Sequence, residues 1–246
     1  MADLARVTLV LDTLAESRGG LTVTELAVRT GLPRSTVHRV LRSLERELYV
    51  VRAQEPDRPG YVLGPALLKF GMNSHLRLLA ATRPDLVALA REVRERVELA
   101  VFSGREVVVV DQIAAPARLR GVTQVGKSFS LHASCIGKVL LAQLPDARVA
   151  ELLPERLDRF TPATVTERAA LLAELARVRR AGVAVDREEH DSGISAVATA
   201  RLGAGGMWQA VAVVMPSQDF AAKFETAVRG LRRVNPEIDV VAALER

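Results

Sequence analysis

The chain has 246 residues, 49% of them hydrophobic, which is enough for a core in each of two domains. Its 34 Lys and Arg against 29 Asp and Glu leave a formal charge of +5, which favours a polyanionic partner without naming one. A lone cysteine, Cys135, excludes an intrachain disulfide framework, and no uninterrupted apolar stretch reaches the roughly 18 residues that a membrane helix needs.

The first residues, Met-Ala-Asp-Leu-Ala-Arg, lack the basic start and apolar block of a signal peptide, so a cytoplasmic protein with no membrane partner is expected. Residues 1–80 hold 11 basic and 8 acidic side chains, so most of the positive excess falls in the first third. There Leu4, Val7, Val10, Leu11 and Leu14 recur at helical spacing, and Gly19-Gly20 ends that helix. Thr22-Val23-Thr24-Glu25 reads as a capping box opening a second helix, which Gly31 closes. Leu32-Pro33 starts a third, because proline at a first helical position forfeits no intrahelical hydrogen bond. Val37, Val40, Leu41, Leu44 and Leu48 are its apolar stripe.

Residues 48–53 and 61–63 are β-prone and separated by the turn-forming QEPDRPG, which predicts a two-stranded wing. A helical connector follows from Pro65 to about Ala81, and Thr82-Arg83-Pro84 marks a boundary before another helix over residues 84–97. Beyond it, strands are predicted at 99–103, 106–114, 119–125, 183–188, 196–202 and 208–214, with helices at 134–143, 166–181 and 219–234. Short strand-to-strand links in mixed order point to an antiparallel α+β domain. The division expected is 1–64 for a winged helix-turn-helix, 65–82 for the connector and 83–246 for the larger domain.

The third helix sorts its residues. Its stripe packs inward and leaves Arg34, Ser35, Thr36, His38, Arg39 and Arg42 outward, where arginine can reach guanine edges or phosphates in a major groove. The wing adds Arg52 and Arg58. A solvated basic face would look the same alone. Helix, capped helix, tight glycine turn, basic helix and wing in that order favour double-stranded operator DNA as partner.

Four stretches then carry a likeness to a known family: RVTLVLDTLA (6–15), LAVRTGLPRSTVHRVL (26–41), LHASCIGKVLLA (131–142) and DREEHDSGISAVA (186–198). Over essentially its whole length the chain resembles the IclR-type bacterial regulators. The resemblance implies a GAF-like C-terminal domain that binds a small effector, a connector helix that mediates homodimerisation, and dimers that often pair into tetramers on partly palindromic operators. No cofactor is expected. Small residues at Ala133 and Ser134 open a helix whose unpaired N–H groups suit a carboxylate, so the effector is expected against His132, Ala133, Ser134 and Cys135, with plain capping by Ser134 as the alternative; the resemblance places Asp186 across the pocket. Members that take very small oxo-acids line two strands with hydroxyl or thiol groups, whereas the aligned positions here are Ala196, Ala212 and Val214. An organic acid with an apolar or aromatic body is therefore expected, because apolar walls leave polar ligand atoms unpaired at about 1–3 kcal/mol each.

Three other chemistries compete in this half. Gly121 to Ser128, GVTQVGKS, satisfies the P-loop pattern, and Val107 to Asp111 resembles a magnesium-holding strand. A P-loop must join a strand directly to a helix, but Phe129-Ser130-Leu131-His132 delays the next helix, so no enzyme is expected. Cys135 near His132 could be an activated thiol, but a small buried residue lining a pocket is the preferred reading. Asp186, Glu188 and His190 alternate along a predicted strand and would share a face able to ligate a metal, with ion pairing as the plainer reading; some members of the resembled family carry one.

Overall fold

The computed structural model describes residues 4–17, 19–53, 60–104, 106–114, 125–203 and 206–244, without the side chains of Ser74 and Arg77. Two compact units emerge, Met1–Leu76 and Arg77–Arg246.

The first unit holds α1 (Leu4–Ala15), α2 (Val23–Thr30), α3 (Arg34–Arg46) and a hairpin of β1 (Val50–Ala53) and β2 (Gly60–Leu63). The capping box forms as expected: Thr22 Oγ1 accepts from the Glu25 N–H at 3.2 Å, and Glu25 Oε2 accepts from the Thr22 N–H at 2.7 Å. Gly31 ends α2 at φ 68°, a left-handed conformation glycine adopts without a Cβ clash, and the chain turns at once into α3. Val10, Leu26, Val37, Val40, Leu41 and Val50 are buried together where the three helices and the wing meet. Leu48 departs from the reading above. It lies beyond the end of α3 at φ 57° and is exposed, because the chain reverses there to enter β1. The wing loop, with Arg58, lies outside the described residues.

A second departure is α4 (Ala66–Val93), one continuous helix of 28 residues through Pro84. The sequence predicts a break at 82–84, and a proline inside a helix costs about 3 kcal/mol. Packing outweighs it: Leu86, Leu89, Ala90 and Val93, all beyond the proline, are buried in the second unit's core. The helix then ends at Val93, and the predicted helical residues Arg96 and Val97 belong instead to a strand.

That strand is β3 (Arg96–Phe102), followed by β4 (Val107–Ile113) and the two-residue β5 (Ser128–Phe129). The strand predicted at 119–125 falls almost wholly outside the described residues. After α5 (Cys135–Leu141), α6 (Asp146–Leu152) and α7 (Arg168–Ala181) come β6 (Val183–Arg187), β7 (Ile194–Leu202) and β8 (Trp208–Pro216), then α8 (Ser217–Leu231) and α9 (Val240–Leu244). The strands form one antiparallel sheet in the order β5-β4-β3-β8-β7-β6.

Strand alternation sends side chains to two different cores. On one face Val197, Val211, Val213 and Met215 pack against α8 and the end of α4. On the other, Ala196, Ala198, Ala200, Ala210 and Ala212 form a floor of small side chains beneath α5 and α7. That floor lets α5 sit close to β7 and β8 and leaves room at one end for a cavity.

Candidate functional site

In the first unit, Val37, Val40, Leu41 and Leu44 hold α3 in the core, and its remaining face carries the residues expected to read DNA. Arg34, Ser35, His38, Arg39 and Arg42 are exposed and Thr36 is half-buried. Among the described residues none of Arg34, Arg39 and Arg42 takes part in an ion pair, so their charge is available to an incoming polyanion. Arg52 of the wing is engaged locally: its Nε donates to Glu45 at 3.1 Å, and its guanidinium lies 5.5 Å from the Tyr61 ring.

In the second unit, Ser134, Cys135, Asp186, Ala196, Ala212 and Val214 line one cavity. Its volume is about 410 Å³, open mouth included. Sequence reasoning missed Glu98, Phe129, Ile136, His190, Asp191 and Ile194, which complete the lining. Phe129 and His190 face each other with ring centroids 4.8 Å apart, and His190 stacks on Phe160 at 4.9 Å, so one wall is aromatic.

His132 and Ala133 are buried beside this lining but do not contribute to it. The His132 ring is held at both nitrogens, 2.8 Å from Ser130 Oγ and 2.8 Å from the Asp158 carbonyl, and burial lowers its pKa. Ser134 caps α5. Its Oγ donates to the Ser130 carbonyl at 2.7 Å and accepts from the Gly137 N–H at 3.1 Å, which uses the hydroxyl for local structure. A Cβ on Gly137 would stand 2.3 Å from the Leu131 carbonyl oxygen, so the loop can cross α5 this closely only over glycine. Burial raises the Cys135 thiol well above its ordinary pKa, the opposite of what an activated nucleophile requires.

The expected alternation of Asp186, Glu188 and His190 does not form. β6 ends at Arg187 and the chain turns left-handed at Glu188, φ 60°, which swings Glu188 out to accept from the Gly193 N–H at 2.9 Å. Glu189 takes the buried position instead. His190 Nδ1 lies 3.2 Å from Asp191 Oδ2, at an angle that makes no hydrogen bond. Among the described residues no group of three or more His, Cys, Asp or Glu is arranged to hold a metal.

Asp186 Oδ1 accepts from the Glu189 N–H at 2.8 Å, and burial, the main cause, raises this carboxyl from 3.8 to about 7. Behind it, the fully buried Lys138 ammonium donates to Glu174 at 2.8 Å, Glu189 at 2.5 Å and the Val185 carbonyl at 3.3 Å. Burial disfavours that ammonium, yet the two carboxylates outweigh it and raise the lysine pKa. Glu189 is also raised, by burial first, with Lys138 offsetting only part. The two carboxylates share one ammonium, and Glu189 carries mainly the cost of its burial, with repulsion from Glu174 adding to it.

Residues 71–239 match the family model described as bacterial transcriptional regulator IclR C-terminal, and residues 4–54 match the IclR helix-turn-helix domain. The chain belongs to the IclR family. It is 42% identical over 217 residues to the HTH-type transcriptional regulator Rv1719 of Mycobacterium tuberculosis, covering 88% of this chain and 83% of that one. It is 37% identical to the HTH-type transcriptional regulator TtgV of Pseudomonas putida, over 87% and 81% of the two chains. A crystal structure of an IclR homolog from Microbacterium hydrocarbonoxydans complexed with 4-hydroxybenzoate superposes with a TM-score of 0.71 at 28% identity, covering 95% of this chain and 98% of that one.

This IclR-family chain is a DNA-binding transcriptional regulator, since the matched families and relatives are regulators and not enzymes. The P-loop alternative gains nothing from the local structure. Ser128 begins β5 where a nucleotide-binding loop would begin a helix, and Lys127 Nζ lies over the Phe129 ring at 4.6 Å and 4.0 Å from Asp191. Gly121 to Gln124 of that motif lie outside the described residues. No helix among the described residues is long and apolar enough to cross a membrane.

Proposed function

We propose that this regulator, acting in the cytoplasm as a homodimer or a dimer of dimers, reads double-stranded operator DNA with α3 and the wing, under the control of an organic acid bound in the cavity of the second unit. Residues 1–64 would serve as the DNA-reading domain, 65–82 as the dimerising connector and 83–246 as the effector domain. Arg34, Ser35, Thr36, His38, Arg39 and Arg42 are the assigned readers, with Arg52 and Arg58 at the wing. Ser134, Cys135, Asp186, Ala196, Ala212 and Val214 contact the effector, and His132 and Ala133 shape the loop above it.

The observation that carries the ligand class is the lining itself. Ile194, Ala196, Ala212 and Val214 are apolar, Phe129 and His190 supply rings, and the buried Asp186 carboxyl is protonated over much of the range below pH 7. A site so walled leaves most oxygens of a two-carbon acid without partners but fits a ring or alkyl body bearing few polar atoms. The relative crystallised with 4-hydroxybenzoate supports the same class. The effector acts by binding one operator-competent or incompetent state better than the other. Calorimetric titration of the full-length protein with 4-hydroxybenzoate, benzoate and phenylacetate beside glyoxylate and pyruvate tests the reading. Binding confined to the aromatic acids is expected; tight binding of glyoxylate with none of the aromatic acids would overturn it.

A further inference from the structure

Strand register determines which side chains share the cavity floor. Arg96, Val214, Ala196 and Asp186 stand directly opposite one another on β3, β8, β7 and β6, so they form one row across one face of the sheet. The last three line the cavity, as does Glu98, two residues beyond Arg96 on the same strand. Arg96 continues the row just beyond the lining, with its side chain only 3% exposed.

Its surroundings do not satisfy it. Arg96 Nη1 is 3.7 Å from Glu98 Oε1, beyond hydrogen-bond range, and its Nε and Nη2 have no hydrogen-bond partner among the described residues. A guanidinium stays protonated in proteins, and burying its donors unmet is costly. The two unmet groups are not a random pair. Nε–H and the adjacent Nη2–H form one edge of the guanidinium fork, the edge that presents two parallel donors to a planar carboxylate. Nη1, on the other side, is turned to Glu98.

We infer that Arg96 anchors the effector's carboxylate through its Nε and Nη2 edge and thereby selects an anionic ligand and sets its orientation. The ligand lies along the row, its body over Val214 and Ala196 and its far end toward Asp186. Neighbouring strands are about 4.8 Å apart, so the Arg96 and Asp186 backbones are roughly 14 Å apart. The two side chains take up part of that distance, and the remaining span suits one substituted ring and is too long for a two-carbon acid to bridge. A hydroxyl or carbonyl oxygen at the far end would meet the Asp186 carboxyl. The inference rests on the organic-acid reading above and adds the residue that recognises the charge.

The test is calorimetric titration of the full-length protein with 4-hydroxybenzoate and its neutral isostere 4-hydroxybenzamide. Wild type should favour the acid by about tenfold or more, the usual advantage of charge-assisted hydrogen bonds. Arg96→Gln should bring the acid to the level of the amide and leave amide affinity within about threefold. A purely structural role for Arg96 would weaken both compounds alike, which would overturn the inference. Because Arg96→Gln leaves Glu98 buried without this cation beside it, Arg96→Gln/Glu98→Gln is measured in parallel, with thermal unfolding of each variant, and supplies the comparison where the single variant does not fold. A preference for the acid that survives in whichever variant folds would also refute it. If wild type binds neither compound, the organic-acid reading itself fails and takes the inference with it.

Discussion

Lys138 ties three elements of the second unit together, and replacing it with methionine removes the charge while keeping an unbranched side chain of similar length. Its ammonium, on α5, has no solvent exposure and holds Glu174 of α7, Glu189 beyond β6 and the Val185 carbonyl. The two carboxylate side chains are only 19% and 10% exposed, so Lys138→Met leaves both without the cation and with little water to replace it. Breaking a buried pair from one side costs about 3–5 kcal/mol, a large share of the 5–15 kcal/mol of a typical domain. At about 2–4 °C per kcal/mol for a unit of this size, the melting temperature should fall by about 10 °C. The loss should shrink in Lys138→Met/Glu189→Gln, since that change removes a charge that burial already disfavours and relieves its repulsion with Glu174. Urea unfolding of the three proteins measures it. A loss below about 1 kcal/mol in Lys138→Met, or a double variant no more stable than the single, would refute the account of two carboxylates sharing one cation.

Arg39→Ala and Arg42→Ala should each weaken operator binding by about 1–3 kcal/mol with the fold intact, relaxing one operator position if the contact is to a base and weakening all sequences alike if it is to phosphate; unchanged affinity in both would remove α3 from the interface. For Asp186, raised from 3.8 to about 7, the folded chain holds a proton that the unfolded chain releases near pH 4, so this group's contribution to stability is lost as pH rises from about 4 to about 7, by roughly 4 kcal/mol at most. Asp186→Asn should flatten that window in denaturant titrations at several pH values, and an unchanged slope would show that the carboxyl is not protonated in the fold. The same carboxyl, once ionised, repels an acid in the cavity, so 4-hydroxybenzoate affinity should decline through pH 7 in wild type and much less in Asp186→Asn. Lys127→Ala should leave operator binding unchanged, and the purified protein should show no magnesium-dependent ATP or GTP hydrolysis; saturable nucleotide binding that depends on Lys127 would revive the P-loop.

What could be read from sequence depended on how local its cause was. The box of Thr22 and Glu25 and the stop at Gly31 are local, and the structure has both where expected. Pro84 was read as a boundary by the same local logic, which misses the burial of Leu86, Leu89 and Val93 that carries α4 onward. The metal-like set failed for the reverse reason: its period of two held only as far as Arg187, and the left-handed turn at Glu188 exchanged Glu188 for Glu189 at the buried position. Glu98 and Arg96 were illegible. Charged residues at a predicted helix end give no sign that they will stand inside a sheet, and only pairing with β8 brings Glu98 to the cavity and Arg96 into the same row as its lining.

The apolar character of the pocket rested on an alignment that a shift of one residue would have reversed, because strand side chains change face at every step. The ladder decides it. Ala196 pairs with Val214 and Ala198 with Ala212, while Val197 pairs with Val213, so the alternation of small and large residues visible in SAVATA and QAVAVV stays in phase across both strands. Had β8 slipped by one, Val211, Val213 and Met215 would fill the floor under α5 and close the cavity. In the observed phase those bulky residues pack against α8, and the alanines leave the space in which an effector body can lie. The void and the lack of hydroxyl groups on its floor thus have one cause, the choice of alanine at 196 and 212. Ala212→Ser should therefore raise the affinity for small polar acids without refilling the space, which calorimetric titration with glyoxylate checks; unchanged glyoxylate binding would refute it.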